Sequence, residues 1–399
     1  MRRILNICII IFSLISSITL LIIPISEKNT DNTKSTPPIS IENEVLNFDE
    51  QGEEIEISNI ASTNDGYYYD KLTTDMKKVY NQLYYGIFYH KTNIKITPTK
   101  EETVKKIFYC LVFDNPELIH LSDDYEYDLK EGYITNFYPI YTMTKSEFQK
   151  NISLINGEVL KIKTATETFS DYEKELYIHD YILKRCNYDS ESKNKGNMYG
   201  AIIEGFANCR GYSAAFTYLL NICGVESGQI IGTTTKNGVT EGHSWNFVIL
   251  DDEYYYTDIC WDDIANGTEY SDISYHFAFF NMTYDDIAKT HNFNNQKTFL
   301  FEINESNNGK YSYLKSNGLY AYSYEQACDI IKTKLPISMT INNKSLMIQC
   351  DSTEIYNKLC KNISSIMKNT IQNDNINIKH CRYTKIDSGN LIIIHDFSN

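Results

Sequence analysis

The feature that most constrains this chain is an amphipathic segment from Asn208 to Gly224 that carries a cysteine near its start. Asn208 is a residue type that caps helix N-termini, and Gly224 is the type that closes helices in a left-handed conformation. Apolar residues recur between them at helical spacing, which predicts a helix with one buried face. Those residues are Tyr212, Ala215, Phe216, Leu219, Leu220 and Cys223. Cys209 therefore lies in the first turn, where unpaired amides and the helix dipole favour a thiolate.

Two strand-like runs follow the helix, one from His243 to Leu250 and the other, which contains Asp258, from Tyr254 to Trp261. The acidic residues between the runs favour a hairpin turn. A two-residue turn at Asp251 and Asp252 sets the register. In that register His243 faces Cys260, and Asp258 lies one diagonal step away on the same face, within about 7–8 Å. A three-residue turn without a bulge would place Asp258 on the opposite face, so the hypothesis requires the two-residue turn.

A thiol, an imidazole and a carboxylate placed in this way can form a catalytic triad. Cys209 would be the nucleophile, and Asp258 would orient His243, whose other nitrogen takes the thiol proton. Each residue alone has a structural interpretation, since a buried cysteine often packs as a small apolar side chain. Their order, with each on its own element, favours the catalytic interpretation. Cys223 and Cys260 do not open a helix and are predicted to be packing residues.

The same segments resemble a known family. Residues 209–212, 243–246 and 258–263 look like the three motifs of the transglutaminase-like superfamily. The resemblance extends over roughly residues 170–291, and residues 179–182 match a helix that often precedes the first motif. The motifs are specific to the superfamily but not to one reaction within it.

The resemblance implies an α+β fold with a papain-like core, in which N-terminal helices pack on an antiparallel sheet. It also implies that Cys209 is the nucleophile, His243 the general base and acid, and Asp258 the orienting residue. Ser244 and Cys260 stand where the family commonly has alanine and threonine. Neither departure removes a reacting group.

The N-terminal segment predicts a location outside the cytoplasm. A short basic start precedes an apolar run from Ile4 to Ile25, which is long enough to span a bilayer, for which about 20 residues suffice. We predict a membrane anchor at residues 1–26 with its basic end in the cytoplasm, a cleaved signal peptide being the alternative. Residues 27–65 are acidic and poor in apolar side chains, and are predicted to be a disordered linker.

Three folded regions are predicted beyond the linker. Residues 66–165 form an N-terminal helical α+β region, 166–303 the catalytic core, and 311–399 a small α+β accessory domain. Within the first region, a capping box beginning at Thr99 predicts the start of a helix. Within the accessory domain, residues 337–341 are predicted to form a strand.

Charge and motif content argue against several classes of function. The formal net charge of −15 over 399 residues argues against a nucleic-acid partner, since nucleic-acid-binding surfaces are basic. Neither a phosphate-binding loop, a dinucleotide fingerprint nor a metal motif is present, so neither a cofactor nor a metal is predicted. His291 has no cysteine or carboxylate at metal-ligand spacing beside it, and is predicted not to be a ligand.

Two functions from different classes are compatible with these features. One is an extracytoplasmic thiol enzyme acting on peptide or glutamine amide bonds of cell-surface or cell-wall substrates. It would be a protease or amidase, or a cross-linking transglutaminase, and hydrolysis is slightly favoured because cross-linking needs an additional acceptor site. The other is a catalytically silent binding or scaffold protein with the same fold. Loss of a triad residue would have indicated the second function, and none is lost.

Overall fold

The structure is a computed structural model, and it describes residues 2–5, 66–236, 239–263, 277–340, 345–373 and 380–398. Within these residues the fold is α+β, as the sequence predicts, and contains three four-stranded sheets and one two-stranded sheet. The domain boundaries proposed from the sequence remain predictions.

The first sheet has the order β1-β3-β4-β2 and is antiparallel. Helices α2 and α3 pack against it, and α2 begins after Thr73, whose side chain accepts a hydrogen bond from the Met76 amide. The capping box predicted at Thr99 is wrong, because Thr99 pairs with Ile134 in the sheet and its hydroxyl donates to a backbone carbonyl. The elements are β1 (Arg2–Leu5), α1 (Tyr67–Asp70), α2 (Thr74–Phe88), β2 (Ile94–Lys100), α3 (Glu101–Asp114), β3 (Leu121–Lys130) and β4 (Tyr133–Tyr141).

Most of the predicted anchor, and the whole of the predicted linker at 27–65, lie outside the described residues. The four anchor residues that are described form strand β1 rather than the start of a helix, and they supply hydrogen-bond partners to the edge of β3. No helix in the described part of the chain is long and apolar enough to cross a membrane.

The second part centres on helix α6, which packs against strands β7 and β8 of a sheet with the order β10-β7-β8-β9. Its apolar face is buried as predicted, with Tyr212, Phe216 and Leu219 fully enclosed. The elements are α4 (Lys145–Thr166), α5 (Asp171–Leu183), β5 (Asn187–Tyr188), a π-helical turn (Gly200–Glu204), β6 (Phe206–Ala207), α6 (Cys209–Ile222), β7 (Ser227–Lys236), β8 (Val239–Leu250), β9 (Glu253–Thr257), α7 (Ile259–Asp262), α8 (Tyr284–Ile287), β10 (His291–Asn292) and α9 (Asn294–Phe299).

The third part is a sheet with the order β11-β12-β14-β13, covered on one face by two helices. The strand predicted at 337–341 is wrong, because helix α11 continues to Thr340 and buries Ala327, Ile331 and Leu335 at helical spacing. The elements are α10 (Tyr313–Ser316), β11 (Tyr320–Ala321), α11 (Tyr324–Thr340), β12 (Ser345–Cys350), α12 (Thr353–Asn373), β13 (His380–Ile386) and β14 (Leu391–Ser398).

Candidate active site

Cys209 is the first residue of α6, at the helix end where the sequence predicted it. The Asn208 side chain accepts hydrogen bonds from the Arg210 and Gly211 amides at 3.1 and 3.3 Å, which fixes the start of the helix. Cys209 itself is 4% exposed. A substrate would therefore meet its sulfur at the mouth of a helix.

The hairpin that carries the other two predicted site residues has the expected two-residue turn. Leu250 pairs with Glu253, and both turn residues, Asp251 and Asp252, have positive φ angles of 53° and 63°. The second strand is shorter than predicted, because β9 ends at Thr257. The chain turns there because Asp258 caps the one-turn helix α7, accepting from the Trp261 amide at 3.0 Å. The prediction that Cys260 faces His243 across the strands is therefore wrong.

His243 lies between the carboxylate and the thiol. Its Nε2–H donates to Asp258 Oδ2 at 2.7 Å, and the thiol of Cys209 is within hydrogen-bonding reach of the same ring. Because His243 Nε2 donates to Asp258, Nδ1 is the ring nitrogen that can form a hydrogen bond with the Cys209 sulfur. The structure thus brings together the three side chains that the sequence singled out.

Charge favours the ionised forms of His243 and Asp258. Burial lowers the pKa of His243, but the negative charges of Asp258 and Cys209 outweigh burial and raise it to about 10. Burial also raises the pKa of Asp258, yet His243 and His291 hold it well below its usual range. An imidazolium beside a carboxylate and a thiolate is the arrangement that activates a cysteine nucleophile.

His291 is a site residue that the sequence did not reveal. Its Nε2–H donates to Asp258 Oδ2 at 2.9 Å, and its side chain is wholly buried. The expectation that no carboxylate accompanies this histidine is wrong, because pairing of β10 with β7, which places His291 opposite Thr234, brings it to Asp258. No local pattern could have found this contact, since the two residues lie 33 positions apart.

Two carboxylates that follow Asp258 in the sequence, Asp262 and Asp263, connect the site to neighbouring elements. Asp262 accepts from His179 Nε2 at 3.1 Å and from the Phe279 amide at 2.9 Å. Asp263 accepts from the Tyr212 hydroxyl at 2.6 Å, which ties α7 to helix α6 three residues after the nucleophile. These contacts explain why the third sequence motif carries three acidic residues, of which only Asp258 contacts His243.

One group of side chains in the described part of the chain has the spacing of a metal site. His243, Asp258 and His291 offer ligand atoms that all lie within 4.8 Å of one another. Cys209 is a free thiol.

A cavity of about 380 Å³ adjoins the start of α6. Its walls come from the segment before β3, from the loop around residues 193–197 and from helix α6. The two neighbours of Cys209 both line it, and Arg210 forms an ion pair with Asp123 of the opposite wall. Gln229 also lines the cavity and is buried, and its Oε1 has no hydrogen-bond partner among the described residues. The cavity therefore offers both charged and hydrogen-bonding groups beside the nucleophile.

One known family matches the part of the chain that carries these residues. Residues 160–259, which include Cys209, His243 and Asp258, match the transglutaminase-like superfamily. The resemblance to the transglutaminase-like superfamily noted in the sequence is thus supported over these residues. The predicted α+β, papain-like fold class of the transglutaminase-like core is thereby confirmed. A search of curated proteins finds no match.

Three solved structures are similar to parts of the chain. One is a TGase, 13% identical, with 50% of this chain and 51% of that chain covered and a TM-score of 0.26. The second is a predicted cysteine protease from Cytophaga hutchinsonii, 16% identical, with 32% and 51% covered and a TM-score of 0.22. The third is a predicted protease from Parabacteroides distasonis ATCC 8503, 10% identical, with 34% and 35% covered and a TM-score of 0.20. The chain thus spans about half the length of the first two proteins and about a third of the third.

Proposed function

We propose that this protein is a thiol acyl-transfer enzyme that acts on amide bonds of peptides or proteins. One observation carries the proposal: Cys209 opens a helix, His243 lies within hydrogen-bonding reach of its thiol, and Asp258 holds the far side of the imidazole at 2.7 Å. Three side chains from three elements converge in the order that nucleophilic catalysis requires. A scaffold protein has no need for this ionised arrangement.

The reaction follows from the charges of these groups. The Cys209 thiolate attacks the carbonyl carbon, and a bond forms between sulfur and carbon. The carbon–nitrogen bond then breaks, and the imidazolium of His243 gives its Nδ1 proton to the leaving amine. The result is a thioester on Cys209 and a neutral imidazole. Asp258 stays ionised throughout and keeps the ring oriented.

The thioester is then resolved by a second nucleophile. Neutral His243 removes a proton from water, the oxygen attacks the thioester carbon, and the carboxylic acid leaves as the thiolate is restored. An amine could replace water, which would make the enzyme a cross-linking transglutaminase. We favour water, because cross-linking needs a further binding site for the acceptor amine. The protein is then a protease or amidase.

The cavity beside helix α6 supports a peptide as substrate. Its volume of about 380 Å³ lies within the range of small-ligand sites, about 300–1,000 Å³. It is bounded by Asn208 and Arg210, so a chain bound there would pass next to the nucleophile.

We also propose that the enzyme acts outside the cytoplasm, directed there by its N-terminal residues 1–26. The support is the basic start and the long apolar run of that segment. Peptides and proteins of the cell surface or cell wall would then be the substrates within reach.

The test combines thiol labelling with a screen for the reaction products. At neutral pH, a mild alkylating reagent should label Cys209 faster than the other thiols, and slowly in His243→Ala. Cys209→Ala should abolish turnover of a peptide-amide library, and His243→Ala should reduce it by at least about 10²–10⁴-fold. New chain termini or free ammonia would indicate hydrolysis, and new isopeptide bonds would indicate cross-linking.

The matched control is Cys260→Ala. Cys260 is a buried neighbour of Cys209 whose burial raises its thiol pKa well above the ordinary value, so its removal should change neither labelling nor turnover. Equal labelling of all thiols, or a Cys209→Ala protein with full activity, would favour the scaffold function instead.

A further inference from the structure

Asp258 is held between two histidines rather than one. Its Oδ2 accepts from His243 at 2.7 Å and from His291 at 2.9 Å, while its Oδ1 accepts from the Trp261 amide at 3.0 Å. We propose that His291 is a positioning residue of the active site, so that the catalytic unit is a chain of four side chains running Cys209–His243–Asp258–His291. This inference rests on the proposed function and extends it by one residue.

The contacts of His291 fix the proton on one ring nitrogen. If Nε2 carried no proton, it would face Asp258 Oδ2 as one acceptor against another at 2.9 Å, so Nε2 must be protonated. The other nitrogen, Nδ1, lies 2.8 Å from the oxygen of the Thr290 hydroxyl, which also donates to the Ile287 carbonyl at 3.3 Å. Burial lowers the pKa of His291 and so favours the neutral form, with its single proton on Nε2.

The ring of His291 cannot easily turn away from the carboxylate. Its side chain is fully buried, and the rings of Trp245 and Trp261 lie with their centroids 4.8 Å from its own. Strand pairing with β7 fixes its backbone. A rigid donor of this kind holds Oδ2 where His243 can reach it, and so the carboxylate cannot rotate during the reaction.

The two hydrogen bonds to Asp258 Oδ2 also affect the protonation of Asp258 and His243. Each hydrogen bond to the charged carboxylate favours its ionised form. Asp258 is thereby a poorer acceptor for the proton of His243, which must pass to the leaving amine instead. Other charged or titratable groups near the carboxylate are Cys209, Cys260 and Asp262, and none of them offers a further donor to Oδ2.

A bound metal ion is the competing explanation for this cluster. Tetrahedral zinc with ligands at about 2.0–2.2 Å would hold those ligand atoms about 3.3 Å apart. The observed separations of 2.7 and 2.9 Å are those of hydrogen bonds to a carboxylate. Asp258 and His291 are also both fully buried. The geometry points to a proton-bridged chain.

The experiment compares two substitutions of similar size in the full-length protein. His291→Gln keeps an N–H near the position of Nε2, whereas His291→Met fills the space without a donor. His291→Met should lower kcat by about 10- to 100-fold, the range for a hydrogen bond to a charged group, with KM unchanged. His291→Gln should restore most of kcat. Nitrogen NMR of histidine-labelled protein should show wild-type His291 as the neutral form with its proton on Nε2.

Each other outcome contradicts the inference in an identifiable way. Parental kcat in His291→Met, or an equal loss in His291→Gln, would show that the donor does not matter. If His291→Met does not fold, Thr290→Val, which removes the hydroxyl alone, should still lower kcat, and an unchanged kcat there overturns the proposal. Zinc that raises the Tm of the wild type but not of His291→Gln would show a metal site. A wild-type protein without turnover or selective Cys209 labelling would refute the proposed function itself.

Discussion

At the scale of single residues, the site depends on the environment of Asp258 more than on the reactivity of Cys209. Asp258 is fully buried, and a buried carboxylate remains ionised only when donors surround it. Two imidazoles and one backbone amide supply those donors. The charge kept in this way then holds a proton on His243, which the leaving group needs.

The protonation of His243 predicts the pH dependence of the reaction. The charges of Asp258 and Cys209 overcome burial and raise the pKa of His243 to about 10, so the imidazolium persists far above the usual range of histidine. We expect kcat/KM for an amide substrate to stay high through neutral pH and to fall as the pH passes about 10. The same group stabilises the fold fully below its ordinary pKa of about 6.5, and this stabilisation is lost as the pH rises through about 10.

Asp258→Asn is the control for this prediction. Without the carboxylate, only the charge of Cys209 opposes the lowering of the His243 pKa by burial, and the basic limb of the pH profile should move to lower pH. An unchanged basic limb in Asp258→Asn would mean that another group controls it. A wild-type limb near the ordinary pKa of histidine would contradict the ion pair.

The sequence predicts the reacting residues better than their supports. Cys209, His243 and Asp258 could be found because each stands in a recognisable local pattern. His291 and the ion pair of Arg210 with Asp123 could not be found, since both join segments that meet through sheet or subdomain packing. Contacts of this kind have no periodicity in the sequence.

At the scale of elements, the hairpin of β8 and β9 sets the distance between base and carboxylate. Its turn residues, Asp251 and Asp252, both adopt the left-handed conformation that two-residue turns of this type require and that glycine or asparagine adopts most easily. Asp251 has a compensation, because its side chain accepts from Lys310 and from the Tyr311 hydroxyl. Asp252 is exposed and lies at the tip of the turn.

We therefore expect Asp252→Gly to stabilise the protein. Removing the side chain relieves a left-handed residue, which costs about 1–2 kcal/mol in general and less for aspartate. Urea unfolding should show a gain of up to about 1 kcal/mol, with kcat unchanged because the register is kept. Asp251→Gly is the matched control and should gain less, since it loses two contacts. A drop in activity in Asp252→Gly would show that the turn does not hold the register as described.

Helix caps and turn residues explain why some predicted element boundaries were right and others wrong. The start of α6 at Asn208 and the turn at Asp251 were predictable because side chain and backbone act within a few residues. The end of β9 was not, because Asp258 serves both as a helix cap and as a partner of His243. The strand expected at 337–341 failed because packing of α11 on β12 outweighs the strand propensity of that segment.

At the scale of the whole molecule, the C-terminal sheet is part of the main core. Its residues Leu346, Ile348 and Ile394 pack under helices α11 and α12. The opposite face contributes to the cluster that surrounds the active site, through Met347 and Ile393. The region predicted as an accessory domain therefore has a hydrophobic cluster of its own under α11 and α12. It also packs against the cluster that contains Cys209.

Gln349 makes this connection testable. It is buried, and its side-chain NH₂ donates to the Ala278 carbonyl at 3.1 Å and to the Gly389 carbonyl at 3.0 Å, which joins the C-terminal sheet to the segment after the catalytic hairpin. Gln349→Met keeps the volume but removes both hydrogen bonds. The free energy of unfolding should fall by about 1–3 kcal/mol.

The form of the unfolding curve separates a shared core from an independent domain. With a shared core, loss of far-UV circular dichroism and exposure of the Cys209 thiol should occur in one transition, and Gln349→Met should move both together. With an independent domain, the substitution would shift one transition and leave the thiol protected. Gln372→Met, at an exposed position of α12, should change stability by no more than about 0.5 kcal/mol. A Gln349→Met effect as small as that would mean that the C-terminal sheet does not support the catalytic core.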